Sequence, residues 1–228
     1  MKRMISIALI LIMLVGNALA ASDFNPSSFR EAKSLALECF RICAFGSEYS
    51  SSTDKLCRWT TDIQIYVAGS PTQSDLETLD DFIMECTWRC PDMPKITRVY
   101  SASTANVIIY FVPLNTLPDY LSGYTEGNWG YFTYWYNGNH QINSAEIGIA
   151  TDVTNQYQRN HIIREELFGT FGLGNDHYLY SDSIIYQPWT ETQTPSEVDW
   201  LMLSMLYHNN VRPGMSAKEA CAILENGF

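Results

Sequence analysis

Apolar residues recur along this chain with two periods, and the switch between them predicts most of its elements. Over residues 29–43 they return every three or four positions, through Leu35, Cys39 and Ile42, and Pro26-Ser27-Ser28 reads as the entry of a helix. Residues 47–53 are polar and Ser-rich and read as a loop. Ile63, Ile65 and Val67 then alternate with polar neighbours, which predicts a strand over 62–68. Helical spacing returns over 74–89 through Leu76, Leu79, Ile83 and Cys86, with Ser74 as N-cap and Glu77 closing a capping box. Residues 105–112 form a β-branched apolar run typical of a buried strand. An aromatic strand over 131–136 ends at Asn137-Gly138, a hairpin signal, and 145–150 reads as a further strand at the edge of the sheet. Helices follow at 161–171, at 197–207 with Ser196 or Pro195 at its start, and at 216–224 with Ser216 as cap; Pro213-Gly214 breaks the chain between the last two. No internal repeat or long linker interrupts this order. It predicts one α+β domain over 21–228 whose first part, 21–100, is helical and rich in cysteine.

The N-terminus adds a compartment to this picture. Lys2 and Arg3, the apolar stretch 5–15 and the small-residue site Ala18-Leu19-Ala20 have the form of an export signal over residues 1–20. The apolar stretch is short for a membrane span, and no second long one follows. The expectation is therefore an exported protein, periplasmic or extracellular, with no stable membrane insertion after cleavage. The full chain of 228 residues carries a net charge of −11; without residues 1–20 it has 12 Lys and Arg against 25 Asp and Glu, or −13. Such a surface repels phosphate backbones, so nucleic acid is not an expected partner.

All six cysteines lie beyond residue 20, an even number that suggests disulfides in an oxidising compartment. Cys39 and Cys43 are one helical turn apart, as are Cys86 and Cys90, so each pair shares a helix face. Two antiparallel helices stapled as Cys39–Cys90 and Cys43–Cys86 would leave Cys57 for Cys221. A zinc site built from the two pairs is the rival arrangement.

The densest chemistry lies in residues 161–187, HIIREELFGTFGLGNDHYLYSDSIIYQ. With about 100° per residue, His161, Glu165 and Gly169 fall on one helical stripe, and Ile163, Leu167 and Phe171 lie opposite, toward a core. Gly172 follows as a helix stop. This stretch resembles the H-E-x-x-H-x-x-G-x-x-H helix of metzincin-type zincin peptidases. Aligning Gly172-Leu173 on that motif's Gly puts Glu165 at the first His, Glu166 at the general-base Glu, Gly169 at the second His and Asn175 at the third. Ser183-Ile184-Ile185-Tyr186 is similar to the Met-containing turn that usually reads Ser-Ile-Met-Tyr. The resemblance implies a zincin-like fold: a twisted mixed sheet, an active-site-type helix, a Met-turn-like loop and C-terminal helices. It also implies a degenerate metal set. Zinc prefers His nitrogen and Cys sulfur, and the aligned register offers only the oxygens of Glu165 and Asn175. A register one turn earlier pairs His161 with Glu165, with His177 or Asp176 as third ligand. Calcium or magnesium would accept Glu165, Asn175 and Asp176.

Glu165, Glu166, Gly172-Leu173, Asn175-Asp176 and Ser183-Ile184 are also similar to the signature of an exported bacterial family of unknown function, E-E-x-x-Q-x-x-G-L-x-N-D followed by S-I-[FI]. Asp199, Leu206-Tyr207 and Arg212-Pro213-Gly214-Met215 resemble its closing segment, and Gly169 departs from its Gln. The likeness covers about residues 105–215. Two readings follow. In the first, the chain is a non-catalytic pseudo-peptidase that needs no cofactor and binds a peptide or protein by strand addition along 145–150, with Glu165, Asn175, Asp176 and Ser183 in its site. In the alternative it is a metal-dependent hydrolase with a non-standard ligand set (His161, Glu165, His177) and Glu166 as general base. There is no Gly-x-Ser-x-Gly nucleophile, and the lone His140 and His208 read as structural.

Overall fold

The computed structural model describes residues 28–45 and 55–228. The expected export signal and the polar loop at 47–53 therefore lie outside the described residues. Helix α1 (Phe29–Cys43) begins where expected, with the Ser28 side chain accepting from the Glu31 N–H. Then come β1 (Arg58–Trp59), β2 (Ile63–Gly69), α2 (Gln73–Arg89), β3 (Ile96–Arg98) and β4 (Val107–Val112), followed by β5 (Gly130–Tyr136) and β6 (Gln141–Ala150). Three helices close the chain: α3 (Gln156–Thr170), α4 (Glu197–Tyr207) and α5 (Ala217–Gly227). Strands β1 and β3, two and three residues long, are too short to leave a period in the sequence.

Helix α2 starts one residue before the expected 74–89. Its N-cap is Thr72, and Asp75 completes the capping box in place of Ser74 and Glu77. Both sequences fit the same pattern; Asp75 prevails because its carboxylate has a second partner in α3, described below. Helix α3 also starts earlier than expected, with Asn155 and Gln158 forming its capping box. α4 and α5 are capped by Ser196 and Ser216, as the pattern predicts.

The sheet is mixed, with order β1-β6-β4-β2-β3, all parallel, and β5 lying antiparallel on the other side of β6. This corrects one expectation. Residues 145–150 are not an edge: they pair with β4 on one side and β5 on the other. Strand addition along 145–150 is thereby closed off, because both rows of backbone groups are used. The edge is β5. The hairpin from β5 to β6 forms, but its left-handed residue is His140 (φ 60°) and not Gly138. The Asn137 side chain accepts from the N–H groups of Asn139 and Gln141, closing a longer loop than the two-residue Asn-Gly turn.

One face of the sheet (Ile65, Ile109, Phe111, Ile147, Ile149) joins the helices in a single large core. A smaller cluster of Val112, Leu117, Leu121, Tyr131 and Ala150 forms a second apolar group. Helix α3 packs on α2, β5 and β6, while α1 packs on α4. Its C-terminal turn is pinned by Trp59 Nε1–H on the Thr170 carbonyl (2.9 Å) and by Tyr207 O–H on that of Phe171 (2.9 Å). Gly172 has φ 118°, and a side chain there would also meet the Cys57 carbonyl at 2.2 Å. Among the described residues no helix is long and apolar enough to cross a membrane.

All six cysteines are buried and none is joined in a disulfide, and this corrects the expected bridges Cys39–Cys90, Cys43–Cys86 and Cys57–Cys221. The stapling assumed that α1 and α2 lie face to face. Instead α1 packs on α4, and Cys90 Sγ points at the Leu203 carbonyl of α4 (3.7 Å). Cys57 Sγ faces His140 Nδ1 (3.9 Å), whereas Cys221 neighbours Arg41. Burial raises the thiols of Cys39, Cys43 and Cys86 and pushes Cys90 up to about 12, so they behave as inert apolar groups.

Candidate functional site

Helix α3 is set in place by a buried polar clamp. Asp75, fully buried at the start of α2, accepts from Arg159 Nε–H (2.9 Å) and from Gln156 Nε2 (2.7 Å). Arg159 also donates to the Thr154 carbonyl (3.0 Å) and to Gln156 Oε1 (2.8 Å), and Thr78 donates to Asn160 (3.0 Å). Burial raises the Asp75 carboxyl, but the donors of Thr72, Gln156 and Arg159 outweigh it and hold the group below its ordinary value. The clamp fixes the first two turns of α3 against α2. The remainder of the helix then faces the start of β5.

Between α3, β5 and the segment 174–189 lies a cavity of about 640 Å³. Glu165, Glu166 and Asp176 line it, as do the aromatic side chains of Trp129, Tyr134 and Trp189. Glu166 is 9 % exposed and lies against the strand backbone: a Cβ at Gly130 would fall 2.2 Å from its Oε1. Gly130 thus makes room for the carboxylate. Gly169, one turn on, faces the ring of Phe132 in the same way, with a Cβ there falling 2.4 Å from that ring.

The other expected site residues are placed elsewhere. His161 is 1 % exposed; its Nδ1–H donates to the Thr192 carbonyl (2.6 Å) and its Nε2 lies 3.3 Å from Glu165 Oε2. Burial lowers its pKa, yet Glu165 and the Thr192 carbonyl together raise it above the ordinary value, and both ring nitrogens face oxygen acceptors. His177 is equally buried. Its Nδ1 accepts from the Leu179 N–H (3.2 Å) and its Nε2–H donates to Ser183 Oγ (3.1 Å). Desolvation lowers its pKa to about 4 and keeps it neutral. Ser183, fully buried, donates its O–H to Asp199 Oδ1 (2.5 Å), and Asp199 Oδ2 accepts from the N–H groups of Ile184 and Ser196. His177, Ser183 and Asp199 thus brace the Ser183–Tyr186 turn from within. Asn175 is turned toward the end of α1, donating to the Ile42 carbonyl (3.3 Å).

Of the expected residues, then, the cavity gathers Glu165, Glu166 and Asp176, with His161 behind Glu165. It does not gather Asn175, His177 or Ser183. The zinc implied by the zincin resemblance does not fit these residues. His161 turns both nitrogens toward oxygens of Thr192 and Glu165, His177 is turned into its own loop, and the ring of Phe132 stands where a side chain from position 169 would project. Among the described residues no group of three or more His, Cys, Asp or Glu is placed to hold a metal ion. Gly130, Phe132, Trp129 and Trp189 escaped the sequence reading, since an aromatic strand reads as core. A glycine opening that strand is the one local sign that something approaches it closely.

Weak likeness exists to two solved structures of myroilysin. Both are 11 % identical to this chain and cover 67 % of it; they have TM-scores of 0.40 and 0.38 and are covered over 83 % and 86 % of their own lengths. No curated protein matches the chain. The model of a family described as protein of unknown function (DUF2927) matches residues 34–226, and the chain belongs to that family.

Proposed function

We propose that this protein binds an extended peptide segment by strand addition, and that the acceptor is β5. The observation that carries the reading is the position of β5: a seven-residue strand bonded to β6 on one side and, among the described residues, to no strand on the other, bordering the aromatic cavity. An incoming strand would bond to the backbone of β5 while alternate side chains enter the cavity. Trp189 on the cavity lining, and Trp135 and Tyr136 on β5, are exposed aromatics of the kind enriched where peptides dock. In this reading the protein is an exported binding scaffold, and Glu166 serves to shape and charge the cavity.

The test is hydrogen exchange on the protein with and without blocked seven-residue peptides of mixed sequence. Binding by strand addition should slow amide exchange within 130–136, and N-methylation at alternate peptide residues should abolish both binding and protection. Peptides that bind with no change at 130–136 would sink the proposal.

A further inference from the structure

Residues 188–195 connect the turn that ends at Gln187 to the cap of α4, and Trp189 within them lines the cavity. Both ends are fixed: the Gln187 N–H donates to the His177 carbonyl, and Ser196 caps α4. Between these points, among the described residues, no backbone group bonds to another backbone group. The segment is held by side-chain contacts with α3. Gln158 Nε2–H donates to Glu191 Oε1 (3.0 Å) and Gln193 Nε2–H to the Tyr157 carbonyl (3.1 Å), both where water competes for the partners. The third contact is made by a buried ring: the Thr192 carbonyl lies 2.6 Å from His161 Nδ1. Trp189 stands edge-on to that ring at 5.6 Å and to Trp129 at 5.3 Å between centres. His161 thus has an oxygen at each nitrogen, with Glu165 Oε2 3.3 Å from Nε2. Only the doubly protonated ring can donate to both. A neutral ring carries one N–H, which goes to the stronger, charged acceptor, Glu165; the Nδ1 lone pair is then turned on the Thr192 carbonyl. The charged groups acting on the ring are Glu165 on its own helix and Glu191 on the segment, and both favour the second proton.

We propose that residues 188–195 form a strap at the cavity, latched to α3 by doubly protonated His161, and that loss of one proton frees the strap and moves Trp189 out of the cavity wall. This proton-operated gate needs no ligand, so it stands whether or not a peptide pairs with β5. Its sign follows from the latch. The folded ring holds its second proton to a pH above the ordinary 6.5, so the strap is closed below 6.5 and opens as pH rises through the folded value.

The experiment is fluorine NMR of the protein labelled with 5-fluorotryptophan, titrated from about pH 5 to about pH 9, the range in which histidines change charge. The Trp189 signal is assigned from Trp189→Phe, and the His161 ring is followed by its nitrogen shifts. The Trp189 signal should move together with the His161 titration, at a midpoint above 6.5. His161→Phe keeps a ring against Trp189 but removes the donors, and should hold the signal at its high-pH position throughout. Glu165→Gln should lower the midpoint by roughly one pH unit or more, because the ring loses its nearest anion. Glu165 is partly exposed, so this variant carries the test if His161→Phe fails to fold. A Trp189 signal that stays fixed while His161 titrates would overturn the latch. So would a pH-dependent signal that persists in His161→Phe, or a midpoint that Glu165→Gln leaves in place.

Discussion

Gly169 shows how much one missing Cβ decides. In a helix interior alanine exceeds glycine by about 1 kcal/mol, so Gly169→Ala should stabilise if space allowed. Here the added carbon meets Phe132 at 2.4 Å, and overpacking of this kind costs about 1–3 kcal/mol. We expect Gly169→Ala to lower stability in the native background and to raise it in Phe132→Ala, read by urea unfolding; the same sign in both backgrounds would contradict the contact. His177 yields a prediction about pH. Its folded pKa of about 4 lies below the ordinary 6.5. The stability it confers is therefore fully present above about 6.5 and is lost as pH falls toward 4, on the order of 3 kcal/mol in all. His161 works with the opposite sign: its raised pKa confers stability at low pH that is lost as pH rises through its folded value. Unfolding free energies between pH 7 and pH 4 should fall less steeply in His177→Gln; an unchanged slope would remove His177 as the cause. Neither role is legible in the sequence, where both histidines read as metal ligands. Which atoms face a ring nitrogen depends on loops as far as 31 residues away, as with Thr192 and His161.

At the level of elements, the clamp between α2 and α3 holds the site helix. Removing one partner of a buried ion pair strands the other, at a cost of about 3–5 kcal/mol. Arg159→Leu should lose roughly that much in chemical denaturation, and an additional Asp75→Asn should recover part of it. Full independence of the two substitutions would mean that the pair does not couple the helices. Helix periods, caps and the hairpin were legible because each depends on neighbours in sequence. Capping boxes compete locally, however, and only the Arg159 contact explains why Thr72 and Asp75 prevail over Ser74 and Glu77. The cysteine pattern misled for a related reason. A shared helix face says which cysteines point the same way, not which helix they face. Iodoacetamide should label none of the six thiols in the native protein and all six after unfolding without reductant; fewer would show that some are oxidised.

For the whole molecule, the edge that β5 presents among the described residues and the aromatic cavity beside it lie on the same side of the sheet's end. An exposed edge invites aggregation unless it is protected or used, and this one borders the aromatic cavity. The sequence by itself determined the alternation of helices and strands, the position of the Glu165-Glu166 pair on the site helix, the glycine stop at Gly172 and the charge. These follow from local backbone preference and periodicity, which neighbours in sequence settle. Only the tertiary structure decided that β6 is interior and β5 the edge, since strand order is a matter of long-range pairing. It also separated Glu165, Glu166 and Asp176 from Asn175, His177 and Ser183, although all six lie within nineteen residues. Beyond the helix end, each side chain's direction is set by what packs around its turn, and no period in the sequence records that.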